Sequence, residues 1–129
     1  MEKINNAATQ DRFASEVGIR LLDVSPGYAK AEMTITEKHL NGLELAHGGA
    51  IFTLADLAFA AASNSHGVDA VAINITMSYF KAARTGTHLT AEAREVSLSR
   101  KLGTYNISII NEAGEQIAAM QGTAFRKSK

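Results

Sequence analysis

Residues 45–63 read LAHGGAIFTLADLAFAAAS, and this stretch decides the fold. From Gly48 to Ser63 it predicts one long helix that stops near Ser65-His66-Gly67. Ile51, Phe52, Leu54, Leu57, Ala58, Phe59 and the run Ala60-Ala61-Ala62 cover most of its circumference. A helix that is apolar all round must be wrapped by other elements. Its small residues would let a sheet or a second helix approach closely.

The flanking segments say what wraps it. Upstream, IRLLDVSPGYAKAEMTI (19–35) reads as a hairpin around Ser25-Pro26-Gly27. Before that, NNAATQDRFASEVG (5–18) predicts a short surface helix with Asn5 or Asn6 as N-cap and Gly18 as its stop. Thr36 to Leu45 is a loop carrying Asn41-Gly42. Downstream the hydrophobic period changes from 3.6 to 2. AVAINITMSYFK (70–81), THLTAEAREVSLS (87–99), TYNISIIN (104–111) and QIAAMQGTAF (116–125) all read as strands. Leu89, Ala91 and Ala93 fall on one face, and Tyr105, Ile107 and Ile109 lie opposite Asn106 and Ser108. The expectation is an α+β domain spanning residues 1–129: a long curved antiparallel sheet of about six strands around one central helix.

Composition excludes several functions. Lys plus Arg equals Asp plus Glu at 13 each, so no net field draws nucleic acid or an anionic membrane. The chain has no cysteine, which removes disulfides, thiolate catalysis and Cys-ligated metal. The four histidines, at 39, 47, 66 and 88, form no metal-binding spacing, and His39, His66 and His88 read as loop or surface residues. No serine-hydrolase elbow or nucleotide-binding loop occurs. The N-terminus lacks an apolar signal segment and the longest apolar run is too short to span a bilayer, so a cytoplasmic location is expected.

Two features of the central helix call for a reason. Asp56 places a carboxylate in its apolar middle, where a charge must be neutralised, hydrogen-bonded or set in a cleft. It is either structural, satisfied by Thr53 or by loop backbone, or functional. His47-Gly48-Gly49 opens the helix, and bare backbone N–H groups at its positive end suit an anion or a polarised carbonyl oxygen. A turn needing positive φ would explain one glycine; close approach of a ligand better explains two. Gly49 and Asp56 are seven residues apart, on nearly one face but roughly 10 Å apart along the axis. Reacting groups must approach to about 3–3.5 Å. Two such helices packed antiparallel across a two-fold axis would bring the glycine end of one to the aspartate of the other. A homodimer with two composite sites is therefore expected.

The motif Leu40-Asn41-Gly42 followed by Ala46-His47-Gly48-Gly49-Ala50-Ile51-Phe52-Thr53-Leu54-Ala55-Asp56 resembles the signature of hotdog-fold acyl-CoA thioesterases of the phenylacetate-degradation (PaaI) type. The order of elements resembles theirs too, over about Phe13 to Arg126. The resemblance implies hydrolysis of an acyl-CoA, aryl-acetyl or medium-chain, with Asp56 as nucleophile or general base. It implies carbonyl polarisation by the backbone N–H at Gly48, with Gly49 beside it, and a site lined by Asn41 and His47. It implies no metal or other cofactor, and a dimer or a dimer of dimers.

Family members often carry Ser or Thr early in the strand after the helix; here only Asn74 or Thr76 could stand in, and a usual proline is replaced within Lys81-Ala82-Ala83-Arg84. Lys81, Arg84, Arg100 and Lys101 are the candidates for CoA phosphates, against the plain reading of solvated surface charge. Tyr79, Phe80 and Phe59 are candidates for an acyl pocket, although core packing is the simpler reading of Phe59. Two alternatives stand: a non-catalytic acyl-CoA-binding protein, and an enoyl-thioester hydratase, whose Asn-Pro-apolar-His motif is absent.

Overall fold

The computed structural model describes residues 7–127. A 3-10 turn, Ala7–Gln10, leads into α1 (Arg12–Val17), then β1 (Arg20–Ser25), β2 (Tyr28–Thr34), a 3-10 turn at Glu37–His39 and α2 (Gly48–Ser63). β3 (Ala70–Tyr79), β4 (His88–Leu98), β5 (Leu102–Ile110) and β6 (Gln116–Arg126) follow. The six strands form one antiparallel sheet in the order β1-β2-β4-β5-β6-β3, with α2 against its inner face.

Alternation along the strands builds the seat for the helix. Ala29, Ala31 and Met33 of β2, Leu89, Ala91 and Ala93 of β4, and Tyr105, Ile107 and Ile109 of β5 are all buried. Register places Ala29 opposite Ala93 and Ala31 opposite Ala91, so two rows of alanine run under the helix. Small side chains there bring α2 close to the sheet while packing stays dense. Gly122 of β6 completes the seat: a Cβ at that position would lie 2.8 Å from Cζ of Phe59. Phe59 is therefore a core residue, tilted against Tyr105 with ring centroids 5.8 Å apart.

Polar contacts fix the far end of α2. Asn64 caps it, and its side chain exchanges hydrogen bonds with both backbone groups of Ala70, which pins the start of β3 to the end of the helix. His66 Nε2 lies 2.6 Å from Glu95 Oε1, which also accepts from Tyr105 Oη at 3.0 Å. Burial pulls Glu95 up, but hydrogen bonds from His66 and Tyr105, with the charges of His66 and Arg126, outweigh it and hold the carboxyl below the usual range.

Three expectations need correction. The N-cap of α1 is Asp11, whose carboxylate accepts from Ala14 N at 2.9 Å; Asn5 and Asn6 lie outside the described residues. Gly18 does end that helix, at φ 94°. His39 is not a surface residue: it is buried, takes the Thr36 N–H on Nδ1 and donates from Nε2 to Val17 O, tying the loop before α2 to the end of α1. Nor is α2 wrapped all round. Gly49, Phe52, Thr53, Asp56 and Ala60 form a stripe that the chain leaves partly or fully exposed.

Candidate active site

The site begins at the first turn of α2. A helix start leaves four N–H groups without intrahelical acceptors. His47 serves two of them: its Nδ1 accepts from Gly49 N at 2.8 Å and its carbonyl accepts from Ala50 N at 2.9 Å, while its own N–H, the third, donates to His39 O. With Nδ1 accepting, neutral His47 carries its proton on Nε2. The fourth group, Gly48 N–H, has no acceptor among the described residues. It is an open donor at the positive end of the macrodipole.

Gly48 lines a cleft of about 300 Å³ with Asn41, Tyr79, Phe80, Lys81 and Ala83. Asn41 is held by its loop: its N–H donates to Leu45 O, and its Oδ1 accepts from Leu43 N at 2.8 Å and Leu45 N at 3.2 Å. The carboxamide oxygen is committed, so Nδ2 is the group left to donate. Asn41 and Gly48 thus line one cleft, each with a donor that has no acceptor among the described residues. Such a pair stabilises negative charge developing on a carbonyl oxygen.

The two glycines have a reason that the sequence did not show. Neither has positive φ. A Cβ on Gly48 would lie 3.3 Å from Cζ of Tyr79, and one on Gly49 would lie 3.0 Å from Nδ1 of His47. They make room for two side chains of this same chain. Tyr79 uses that room to donate from its hydroxyl to Gly48 O at 2.9 Å. Burial pushes its phenol up, so the hydroxyl remains a donor.

On the other side of the turn lies a cavity of about 780 Å³. Its walls include Phe13 and Val17 of α1, Met33, Leu40, and Ala50 and Thr53 of α2. A charged group closes part of it: Glu32 sits between Arg20 at 2.7 Å and His88 at 3.1 Å.

Asp56 stands apart from both spaces. Thr53 does not satisfy it, because the Thr53 hydroxyl donates to Gly49 O at 2.7 Å. No described residue gives the Asp56 carboxylate a hydrogen bond or an ion pair. Burial, and then the nearby charge of Asp11, push its pKa up from the usual value. The structural explanation of Asp56 is thereby removed within the described chain, and what remains is a half-buried acid on the open stripe of α2.

The other candidates divide. Lys81 flanks the cleft and pairs with Glu115 at 2.8 Å, both groups well exposed. Arg84 lies exposed just beyond. Arg100 and Lys101 occupy the β4–β5 turn, where Lys101 O accepts from Arg126 N beside the start of β3. That is the opposite end of the sheet from Tyr79 and Gly48, about 25 Å along the strands. Thr76 lines a groove on the outer face with Ser78, Asn106 and Gln121, while Ile75 and Met77 pack on the core. Asn74 is exposed just past the bulge in β3. Neither Asn74 nor Thr76 reaches the cleft beside Gly48. Among the described residues no cluster of His, Cys, Asp or Glu could hold a metal ion, and no helix is long and apolar enough to cross a membrane.

Comparison with known proteins gives a consistent result. Residues 43–118 match the family model of the Thioesterase superfamily. Acyl-coenzyme A thioesterase PaaI of Escherichia coli K12 is 37% identical over 116 residues, 90% of this chain and 83% of that one. The structure of the E. coli PaaI protein from the phenylacetic acid degradation operon superposes with a TM-score of 0.91, at 36% identity, covering 95% of this chain and 91% of that one. A Streptococcus mutans protein solved bound to acetyl CoA superposes with a TM-score of 0.83, at 28% identity, over 87% of this chain and 90% of that one. The matched segment runs from the loop before α2 into β6, more than half of the sequence, and the chain belongs to the Thioesterase superfamily as a hotdog-fold thioester hydrolase of the PaaI type.

Proposed function

We propose that this protein hydrolyses acyl-CoA thioesters at two sites, each shared between two copies of the chain. The observation that carries the reading is a separation. The open Gly48 N–H and Asn41 share a cleft, whereas Asp56, the acid the chemistry needs, sits elsewhere on the same helix without a partner among the described residues. An antiparallel pair of α2 helices meeting along the open stripe sets Asp56 of one subunit toward the Gly48 end of the other.

The edge of the sheet supports the same pairing. β3, ten residues long, is bonded only to β6, so the backbone groups that alternate residues direct to its other side are unpaired, with Val71, Ile73 and Tyr79 exposed along it. Such an edge is a template for a second strand. Pairing of two β3 strands antiparallel also carries Arg100 and Lys101 of one subunit toward the cleft of the other, where Lys81 and Arg84 already stand. Together these cations receive the CoA phosphates.

In this reaction the thioester carbonyl oxygen takes the Gly48 N–H and Asn41 Nδ2. Ionised Asp56 either removes a proton from the attacking water or attacks to form a mixed anhydride that water then opens. The C–S bond breaks, the thiolate leaves, and the proton passes to sulfur. A carboxylate whose pKa is raised by burial is a better base near neutral pH. The cavity beside Ala50 and Thr53 takes the acyl group, and its walls of Phe13, Val17, Met33 and Leu40 suit an aryl-acetyl or medium-chain group. No further cofactor takes part. The relationship to a protein of a phenylacetic acid degradation operon supports aryl-acetyl groups as the first to assay, with the enzyme acting in the cytoplasm.

Subunit complementation tests the shared site. Asp56→Asn and Asn41→Ala homodimers should each lose activity, Asp56→Asn by about 10²–10⁴-fold in kcat. Mixed and re-equilibrated one to one, they should regain roughly a quarter of wild-type CoA release, since half the dimers are hybrid with one intact site each. No recovery with confirmed hybrids, or a fully active monomer, sinks the shared site. Acyl-CoA binding with no hydrolysis by wild type across an aryl and alkyl panel points instead to a binding protein.

A further inference from the structure

The peptide group joining Gly48 to Gly49 is gripped at both ends. Its oxygen accepts from Tyr79 Oη at 2.9 Å, and its N–H donates to His47 Nδ1 at 2.8 Å. This grip lies where the backbone is softest, because two consecutive glycines have the widest choice of dihedrals. Side chains cannot stiffen the turn, since a Cβ on either glycine would meet the Tyr79 ring or the His47 ring. The free donor, Gly48 N–H, belongs to the very next peptide group, so its direction follows the dihedrals that the grip restrains.

We propose that Tyr79 is a positioning residue for thioester hydrolysis: with His47 it clamps the Gly48–Gly49 peptide and so aims Gly48 N–H at the carbonyl oxygen. This rests on the acyl-CoA hydrolase reading above. Tyr79 touches this peptide directly: its ring packs beside Gly48 and its hydroxyl donates to Gly48 O. It is also the last residue of β3, the edge strand, so the clamp ties the carbonyl donor to the strand that a second subunit would complete.

Tyr79→Phe isolates the hydroxyl, because the ring and its contact with Gly48 remain. Loss of one neutral hydrogen bond corresponds to about two- to twelvefold. Three readouts are expected to move together. Amide hydrogen exchange at Gly49 should speed up by a factor in that range, and kcat/KM should fall by a similar factor. Binding of an acyl-CoA ketone analogue, with CH2 in place of sulfur, should weaken, while a CoA thioether with no carbonyl binds as before. Unchanged Gly49 exchange overturns the clamp. Equal weakening of both analogues also overturns the proposal, by making Tyr79 a plain wall of the cleft. Faster exchange in a protein whose wild type hydrolyses no acyl-CoA would leave the clamp standing and remove the hydrolase reading instead.

Discussion

At the scale of single residues, Asp56 is governed by what surrounds it. Burial is the larger cause of its raised pKa and Asp11 the smaller. Hydrolysis needs the ionised form, so kcat/KM should fall as pH drops through the raised value, at a pH above the ordinary aspartate range. Asp11→Asn removes the repelling charge and keeps a good N-cap for α1. If Asp56 is the acid proposed above, the acid limb of the pH–rate profile should move to lower pH in that variant, and an unmoved limb would mean that Asp11 does not act on the group that sets it. Stability follows the same shift with a definite sign. An acid whose folded pKa lies above its unfolded one binds protons more tightly when folded, so its ionisation costs stability as pH rises through that window. Asp56→Asn should therefore raise Tm at neutral pH even as it abolishes turnover.

At the scale of elements, the decisive fact is how near α2 lies to the sheet. Rows of alanine under the helix, and Gly122 under Phe59, set that distance. Gly122→Ala should force Phe59 off its place against Tyr105 and cost about 1–3 kcal/mol, read as a lower midpoint in urea. An unchanged midpoint would show that Phe59 has room to move. The elements themselves were legible beforehand. The hairpin at Pro26-Gly27, the span of α2 and the four later strands all follow from periodicity and turn chemistry. The cap of α1 was misread because Asn5, Asn6 and Asp11 are all good capping residues, and only the fold decides which turn is helical. His39 was misread for a related reason: a histidine in a loop is buried only when another element, here the end of α1, comes to meet it.

At the scale of the whole molecule, two surfaces of the described chain bear on the proposed pairing. They are the stripe of α2 through Asp56 and the unpaired edge of β3. Both are used in the pairing proposed above. Ile73→Lys places a charge on that edge, a device that opposes strand pairing. The expected outcome is a smaller species by light scattering together with loss of CoA release. A variant that becomes monomeric and keeps full activity would separate assembly from catalysis.

Sequence by itself determined the framework, because hydrophobic period, glycine and proline placement and the His-Gly-Gly…Asp spacing are properties of short segments. It also marked Gly48 and Asp56, whose residue types are unusual for their local setting, and Asn41 through the motif it shares with the family. Only the tertiary structure decided which N–H stays open, since that requires knowing that His47 accepts from Gly49 and Ala50 and itself donates to His39 O. It alone showed that the glycines make room for Tyr79 and His47, and that Arg100 and Lys101 stand at the far end from their own Gly48. The Tyr79 contact and the place of Arg100 and Lys101 depend on residues distant in the chain, and the His47 contacts, though local, depend on a ring orientation that residue types alone do not set.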